Sequence, residues 1–545
     1  MTTTRPSSGP LAPLAIGLFR ALWIAQLVSN VGSWMQSVGA QWLLVDSSNA
    51  TLLTALVSAA SLIPVLALSL PAGVLADSLD RRWVLVFSNA FMCLAAGLLT
   101  VLTATGNAGP AVVLMLTFAL GCGTAFGGPA WQAIQPDLVP RHLLLAASAL
   151  SSANINIARA VGPALAGALV AWSGPALVFG INTASFLTVI VVLSTWRTTG
   201  KRHGGVGLAP AIVAGLRYVR NAPGVRRITL RAALFVIPGS ALWALLAVIA
   251  HTRFQLNSSG YGLMLAALGG GAVAGAMMLP WLRGHLSNNS ILSYGSAVYA
   301  VGMVVVALVR DVPVGLVMLF VAGIGWVGCL SILNTAMLLS LPAWVRARSM
   351  AVYNVVFMGG QGVGALLWGL VGDVLGPSAT LLAAAAISLM CLATMYVWPL
   401  YDSQGTLDRS VTPMTDTAPD DARPASAGPV EIQIEYEVEP DQQAAFREAA
   451  RALATSRRRT GASSWNLWQD VTDERRFVEE YTLANWGEHL AQREERMTGY
   501  DRELEREVLA LAAPNPTVHH LVRPKAMPRT DHGLAVADLM TKGKT

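Results

Sequence analysis

The chain has 545 residues, of which 54% are apolar and only 12% charged, about half the roughly 25% charged share of a soluble globular domain. That balance excludes a soluble protein over most of the length and points to lipid as the solvent. The formal net charge of +6 does not call for nucleic acid, because the basic residues are concentrated in the connections between apolar stretches.

From about residue 11 to 400, apolar stretches follow one another, each long enough to cross a hydrocarbon core of about 30 Å as a helix of roughly 20 residues. The opening residues are polar, and the first apolar stretch is too long and too rich in Gln, Asn and Trp for a cleaved signal peptide, so it is expected to stay as a membrane helix. Hydropathy, broken by Gly, Pro and charge, predicts helices at 16–45, 52–76, 84–105, 111–135, 143–172 and 176–196. A second set is predicted at 229–250, 259–282, 290–309, 314–340, 348–372 and 377–399. Cys93, Cys122, Cys329 and Cys391 lie inside these spans with no CxxC pair and no histidine cluster beside them, a pattern of helix packing rather than of a metal site. No GxxxxGK[ST] loop appears, which argues against an ATP-driven pump within this chain.

The loops divide by charge. One set holds Arg81, Arg82, Arg141, then Arg197, Lys201, Arg202, Arg217, Arg220, Arg226 and Arg227 in the long 197–227 connection, and finally Arg283, Arg346 and Arg348. The alternate set offers Arg253 and Arg310. The excess of Lys and Arg places the first set, and both termini, in the cytoplasm of a multi-pass cell-membrane protein. Within the long connection, 209–221 reads as an amphipathic helix that either lies on anionic lipid or simply joins two halves. A shift of 202 places Gly121 on Gly323, Gly123 on Gly325, Pro140 on Pro342, Gly162 on Gly364, Gly167 on Gly369, and Gly174-Pro175 on Gly376-Pro377. One offset across three successive loops indicates duplicated six-helix halves, an arrangement that puts a substrate site near the midplane between them.

The run Gly73-Val74-Leu75-Ala76-Asp77-Ser78-Leu79-Asp80-Arg81-Arg82 resembles the G-x-L-A-D-x-x-x-R-[RK] loop of the major facilitator superfamily, and it falls between the second and third spans as in that family. Gly162-Pro163-Ala164-Leu165-Ala166-Gly167 resembles the G-P-x-x-x-G motif of its drug-exporting branches. The opening Phe19-Arg20-Ala21-Leu22-Trp23 through Trp42 is similar to the branch of enterobactin-type siderophore exporters and macrolide efflux proteins. The resemblance covers residues 15 to 400 and implies a secondary active exporter working by alternating access, with protons as the coupling ion. It also implies a conformational latch around Asp77, Arg81 and Arg82. The family's fourth-span arginine is missing, with Thr117 in its place, and no Asp, Glu or His lies near the centre of a span, so proton coupling rests on the resemblance alone.

Arginine at a helix centre costs about 2.5–3.5 kcal/mol on insertion scales unless it meets water or a partner, so Arg159 is expected to face a cavity. Ser152, Asn156, Arg159 and Pro163 draw a polar stripe on the fifth span, and Gln26, Asn30, Trp34, Ser37 and Gln41 draw another on the first. The repeat adds Asn354, Met358 and Gln361 opposite the Arg159 stripe and pairs Gln132 with Asn334. The candidate substrate-binding residues are Gln26, Asn30, Trp34, Gln132, Asn156, Arg159, Asn334 and Gln361, with Trp131, Trp243 and Trp326 as flat apolar walls. Such a pocket suits an amphipathic, aromatic or anionic small molecule; the alternative is interhelical hydrogen bonding with tryptophans facing lipid. The candidate conformational residues are Gly73, Asp77, Arg81, Arg82, Gly162, Pro163 and Gly167, whose glycines let helices approach and bend.

After residue 400 the chain turns polar. Residues 402–428 read as a flexible linker. Strands are predicted at 430–438, 464–470, 475–483 and 517–523, with helices at 441–457 and 484–512, a β-α-β-β-α-β order of the ferredoxin-like kind. Arg476-Phe477-Val478-Glu479-Glu480-Tyr481, followed by Trp486 and His489, resembles the antibiotic-biosynthesis-monooxygenase-like domain, which includes both cofactor-free oxygenases and domains without known catalysis. His489 is expected to be solvated or structural rather than a base, and Trp465, Trp468 and Trp486 to be core.

The expected architecture is an all-α membrane protein of twelve transmembrane helices in two six-helix pseudo-repeats, 1–200 and 229–401, joined by a cytoplasmic connection at 201–228. The linker, a ferredoxin-like α+β domain at 429–525 and a tail at 526–545 complete it. A transporter without catalytic residues, metal or cofactor is expected, with a small-molecule substrate, lipids and protons as partners and self-association through the last domain. The rival readings are an importer of the same fold and a membrane-tethered oxygenase.

Overall fold

A computed structural model describes residues 11–196, 208–342, 344–400 and 428–522. The first half holds α1 (Gly17–Leu43), α2 (Ala50–Ser78), α3 (Arg81–Ala104), α4 (Pro110–Leu138), α5 (Leu144–Ser173) and α6 (Pro175–Thr195). A short α7 (Leu208–Asn221) leads to α8 (Pro223–Thr252), α9 (Ser258–His285), α10 (Asn288–Leu308), α11 (Val312–Ser340), α12 (Arg346–Leu375) and α13 (Pro377–Val397). Among the described residues, eleven of these helices are long and apolar enough to cross a membrane. Helix α1 is 27 residues long but carries Gln26, Asn30, Gln36 and Gln41, which lower its hydropathy. Helix α8 begins at Pro223 rather than near 229, because proline is well suited to the first helical turn, where its missing N–H costs nothing.

Backbone features recur at the 202-residue offset. Gly174 and Gly376 adopt φ of +79° and +81°, and each is followed by a proline that starts the next helix. Only glycine takes this left-handed geometry without strain. Helix pairing repeats as well: α2 with α4, α3 with α4 and α3 with α6 in the first half correspond to α9 with α11, α10 with α11 and α10 with α13 in the second.

The halves meet chiefly where α5 packs on α9 and α2 approaches α12. The repeat-related glycines explain how. A Cβ on Gly162 would stand 2.7 Å from the Cβ of Trp34 on α1, and one on Gly364 would collide with Ser240 on α8, so both serve contacts inside their own half. A Cβ on Gly167 would lie 2.9 Å from the Cα of Gly262 on α9, and one on Gly369 would lie 2.5 Å from the Cβ of Ala55 on α2, so both serve contacts with the opposite half. The G-P-x-x-x-G spacing therefore gives one helix two backbone-close faces, the second of them at the seam between halves.

The residues after 428 fall in a separate compact unit. It runs β1 (Val430–Glu437), α14 (Gln443–Thr460), β2 (Ser464–Gln469), β3 (Arg476–Leu483), α15 (Trp486–Ala491), α16 (Gly499–Ala510) and β4 (Thr517–Val522). The strands form one antiparallel sheet in the order β2-β3-β1-β4. Val430, Ile432, Ile434 and Tyr436 of β1 and Phe477, Tyr481 and Leu483 of β3 face inward onto Phe446, Leu453 and Val508, the period-two burial of a half-covered sheet. Trp486 belongs to this core, whereas Trp468 is 57% exposed, contrary to expectation. Its position in β2 alternates to the open face of the sheet, where it hydrogen-bonds Glu480.

Candidate functional site

Arg159 stands at the middle of α5, with its guanidinium 5.8 Å from the centre of the Trp34 ring on α1. Its Nε is buried and finds no hydrogen-bond partner. Trp34 in turn lies 6.0 Å from Trp243 on α8, so the contact crosses from one half to the other. Trp243 continues to Trp326 on α11 at 5.9 Å, and Trp326 packs on Phe235 and Tyr299 at 5.2 Å each. Gly239 makes room for this cluster: a Cβ there would stand 3.0 Å from Trp326 and 3.2 Å from Tyr299, whose hydroxyl donates to the Gly239 carbonyl. The result is an aromatic wall, half-buried at Trp34 and Trp243 and buried at Trp326, that begins with a cation on its first ring, a contact worth between about 0.5 kcal/mol when exposed and about 2 kcal/mol when desolvated.

The other candidates separate into groups. Gln26 donates to Asn30, Asn30 to Asn154, and Asn154 to the Trp23 carbonyl, a ladder that ties α1 to α5 and that the sequence did not point to at Asn154. Asn156 donates to the Ser152 carbonyl of its own helix. Asn334 is exposed on α11 and Gln361 half-buried on α12, and neither shares a ring contact or hydrogen bond with the Arg159 cluster. The Gln132 side chain lies outside the described residues. Trp131 packs beside Ile134 and Leu138 in a separate apolar cluster, away from Trp243 and Trp326. An apolar cleft of about 370 Å³ lined by Leu56, Ile63, Leu114, Phe118 and Leu366 has no polar group to orient a ligand.

In the Gly73 to Arg82 motif, the side chain of Asp77 and the surroundings of Gly73 lie outside the described residues. Arg82 donates through Nε to the Leu193 carbonyl at 2.8 Å and through a terminal nitrogen to the Ser194 carbonyl at 2.7 Å. It thereby satisfies the free C-terminal carbonyls of α6. Asp80 caps α3 by accepting from the Arg82 N–H. Arg231, which the sequence did not single out, does the same for α13: only 5% exposed, it donates to Thr394 and to the carbonyls of Thr394 and Trp398.

The seam carries a second polar group near the 44–49 and 253–257 connections. Asp46 pairs with His251 at 3.2 Å. Trp42 stacks on Tyr261 and meets His251 edge-on. The Tyr261 hydroxyl donates to Gln41, whose amide donates to Ser58. Gln41 was visible as the end of the α1 stripe; its partners on α9 and α2 were not.

In the last domain, Glu479 is 1% exposed and accepts from Tyr436, Arg457 and Trp465, while Arg457 also reaches Glu505 at 3.0 Å. His489 is 2% exposed, the structural one of its two expected roles. Both ring nitrogens lack a partner, and burial, aided by His520, Arg493 and Arg457, pushes its pKa down to about 3. A neutral imidazole packed between Trp486 and His520 follows from that environment. Among the described residues, no group of three or more His, Cys, Asp or Glu is placed to hold a metal.

One protein-family model covers most of the chain. The model described as "Transmembrane secretion effector" matches residues 8–528. The Multidrug efflux pump Tap of Mycolicibacterium fortuitum is 24% identical over 69% of this chain and 93% of its own length. The Enterobactin exporter EntS of Salmonella choleraesuis is 26% identical over 56% and 74%. The crystal structure of a bacterial homolog to the human lysosomal transporter Spinster shares the fold, with a TM-score of 0.58 at 14% identity over 71% of this chain and 97% of that one.

Proposed function

Because this chain belongs to the transmembrane secretion effector family of major facilitator superfamily transporters, we propose that it exports small amphipathic molecules, siderophore-like or drug-like, by alternating access. It is a multi-pass membrane transporter, not an enzyme. The observation that carries the finer reading is the Arg159, Trp34 and Trp243 group, which unites a cation and two aromatic faces from opposite halves. A ligand held there touches both halves at once, so its binding energy differs between their relative positions, as rocking requires. The export activities named for Tap and EntS support the direction and the substrate class.

Helix α1 is the twelfth span on this reading, supported by its 27 residues and its packing on α5 and α6. The basic loops face the cytoplasm, as do both termini, on the strength of their Lys and Arg excess. The contacts at Gly167, Gly369 and His251 then close the outer side. The segment from 429 to 525 is a ferredoxin-like accessory domain, a reading supported by its strand order, with self-association as its role. Protons drive the cycle.

Accumulation of amphipathic dyes and siderophore-like compounds, measured in cells expressing the intact chain, Arg159→Ala and a chain ending near 402, tests the proposal. Lower accumulation with the intact chain, lost with an uncoupler and with Arg159→Ala at equal membrane abundance, is expected. Accumulation equal to that of empty cells for every compound would remove the export reading.

A further inference from the structure

The residues before 400 contain no Glu, and their six Asp, at 46, 77, 80, 137, 311 and 373, all lie in connections or within three residues of a helix end. The membrane interior therefore offers a cationic molecule no carboxylate. It offers instead Arg159, whose buried Nε has no hydrogen-bond partner and whose guanidinium has no ion-pair partner among the described residues. The ring beneath it, Trp34, and the ring beyond, Trp243, present aromatic faces from the two halves.

From this arrangement, and resting on the proposed export through this pocket, we infer that the transported substrate is an aromatic anion: a carboxylate or phenolate carried on a flat ring system. The anionic oxygens accept from the guanidinium in the planar geometry that arginine presents to carboxylates. The ring stacks toward Trp34 and Trp243. An unpaired arginine in the membrane is costly, and an anion brought to it recovers part of that cost, which a neutral ligand does not. A cation of the same shape meets like charge in a region of low dielectric and is rejected. Selectivity by sign thus follows from one residue.

The test uses two dyes on the same xanthene frame, fluorescein as the anion and rhodamine 6G as the cation, with the purified full chain in lipid nanodiscs and with expressing cells. Fluorescein is expected to bind at least tenfold more tightly than rhodamine 6G. Arg159→Gln is expected to remove that preference, Arg159→Lys to restore most of it, and Arg159→Glu to reverse it. Equal binding of the two dyes, binding of neither, or a fluorescein preference untouched by Arg159→Gln overturns the inference. Export of rhodamine 6G by cells expressing the intact chain as fast as that of fluorescein would overturn the sign selectivity while leaving export itself standing, whereas export of no compound at all would bring down the underlying transport reading.

Discussion

Asp46, in the connection from α1 to α2, and His251, at the end of α8, stand 3.2 Å apart and join the two halves of the membrane unit. The side chains are 80% and 39% exposed, so the pair is a weak tie, in the range of about 0.2–1 kcal/mol for exposed pairs. Its place at the seam matters more than its strength. Asp46→Asn or His251→Gln is expected to raise the population open on this side by no more than about fivefold. Distances between spin labels placed on α1 and α9 would show the change, and unchanged distance distributions would remove the pair from the gate.

Gly167 and Gly369 are a sharper test of the seam. Gly167→Leu brings a side chain against the backbone of Gly262, and Gly369→Leu one against Ala55. The nearest atoms, backbone at Gly167 and the Ala55 Cβ at Gly369, cannot swing aside, so closure on this side is expected to fail and export to fall at least tenfold with membrane abundance preserved. Gly128→Leu, where a Cβ meets nothing within 4 Å, is the control. Transport at the normal level in both variants would show that the seam does not have to close this tightly.

Arg231 provides a prediction about stability. Its loss in Arg231→Met leaves the carbonyls of Thr394 and Trp398 and the Thr394 hydroxyl without their charged donor. Charge-assisted hydrogen bonds contribute about 1.5–3 kcal/mol each, so a lower melting temperature of the detergent-purified chain is expected, of several degrees. Arg231→Lys should recover only part of the loss, since one ammonium cannot match the spread of a guanidinium.

The last domain should weaken in acid. His489 has a folded-state pKa of about 3, below the roughly 6.5 of a free histidine. Between those values the unfolded chain takes up a proton that the folded one does not, so stability falls as pH drops, by up to about 1.4 kcal/mol per pH unit. Below about pH 4 Asp501 adds to the loss. Arg459 and the Ser456 and Thr498 hydroxyls outweigh the opposing effect of its burial and hold its pKa below the usual value, a stabilisation present above that range and lost as it protonates. Hydrogen exchange of α14 and α16 amides in the full chain, at pH 7 and pH 4.5, should show faster opening in acid. His489→Leu should flatten that dependence; an unchanged slope would mean that His489 is protonated in the folded domain.

The buried Arg457, Glu479 and Glu505 group is a fourth site of large effect. Glu479→Gln keeps the contacts of Tyr436 and Trp465 but removes the charge facing Arg457. Breaking one partner of a buried pair typically costs about 3–5 kcal/mol. The remaining Glu505 contact places the expectation at the lower end, and loss of the domain's cooperative unfolding in the full chain would measure it.

What the sequence determined alone is what depends on neighbouring residues and on the solvent. Hydropathy over some 20 residues located α13 at Pro377–Val397 against an expected 377–399, and a lipid solvent demands that regularity because every backbone group must be satisfied within the helix. The 202-residue offset anticipated that Gly174 and Gly376 share one turn. Period-two alternation located β1 and β3. The central position of Arg159 made it a candidate from its desolvation cost alone.

Only the tertiary structure decided the partners. Arg159 over Trp34, Arg82 on the end of α6, and Asp46 beside His251 join residues from different helices, and a helix reveals its apolar faces without naming the helix that covers them. The amides of Gln26 and Asn30 look identical in sequence whether they await a ligand or, as here, bond to each other and to Asn154. The charged stretch around His489 left a solvated and a structural role equally open, and the strand carrying His520 decided for the structural one by covering the ring, because packing between distant segments overrides local polarity.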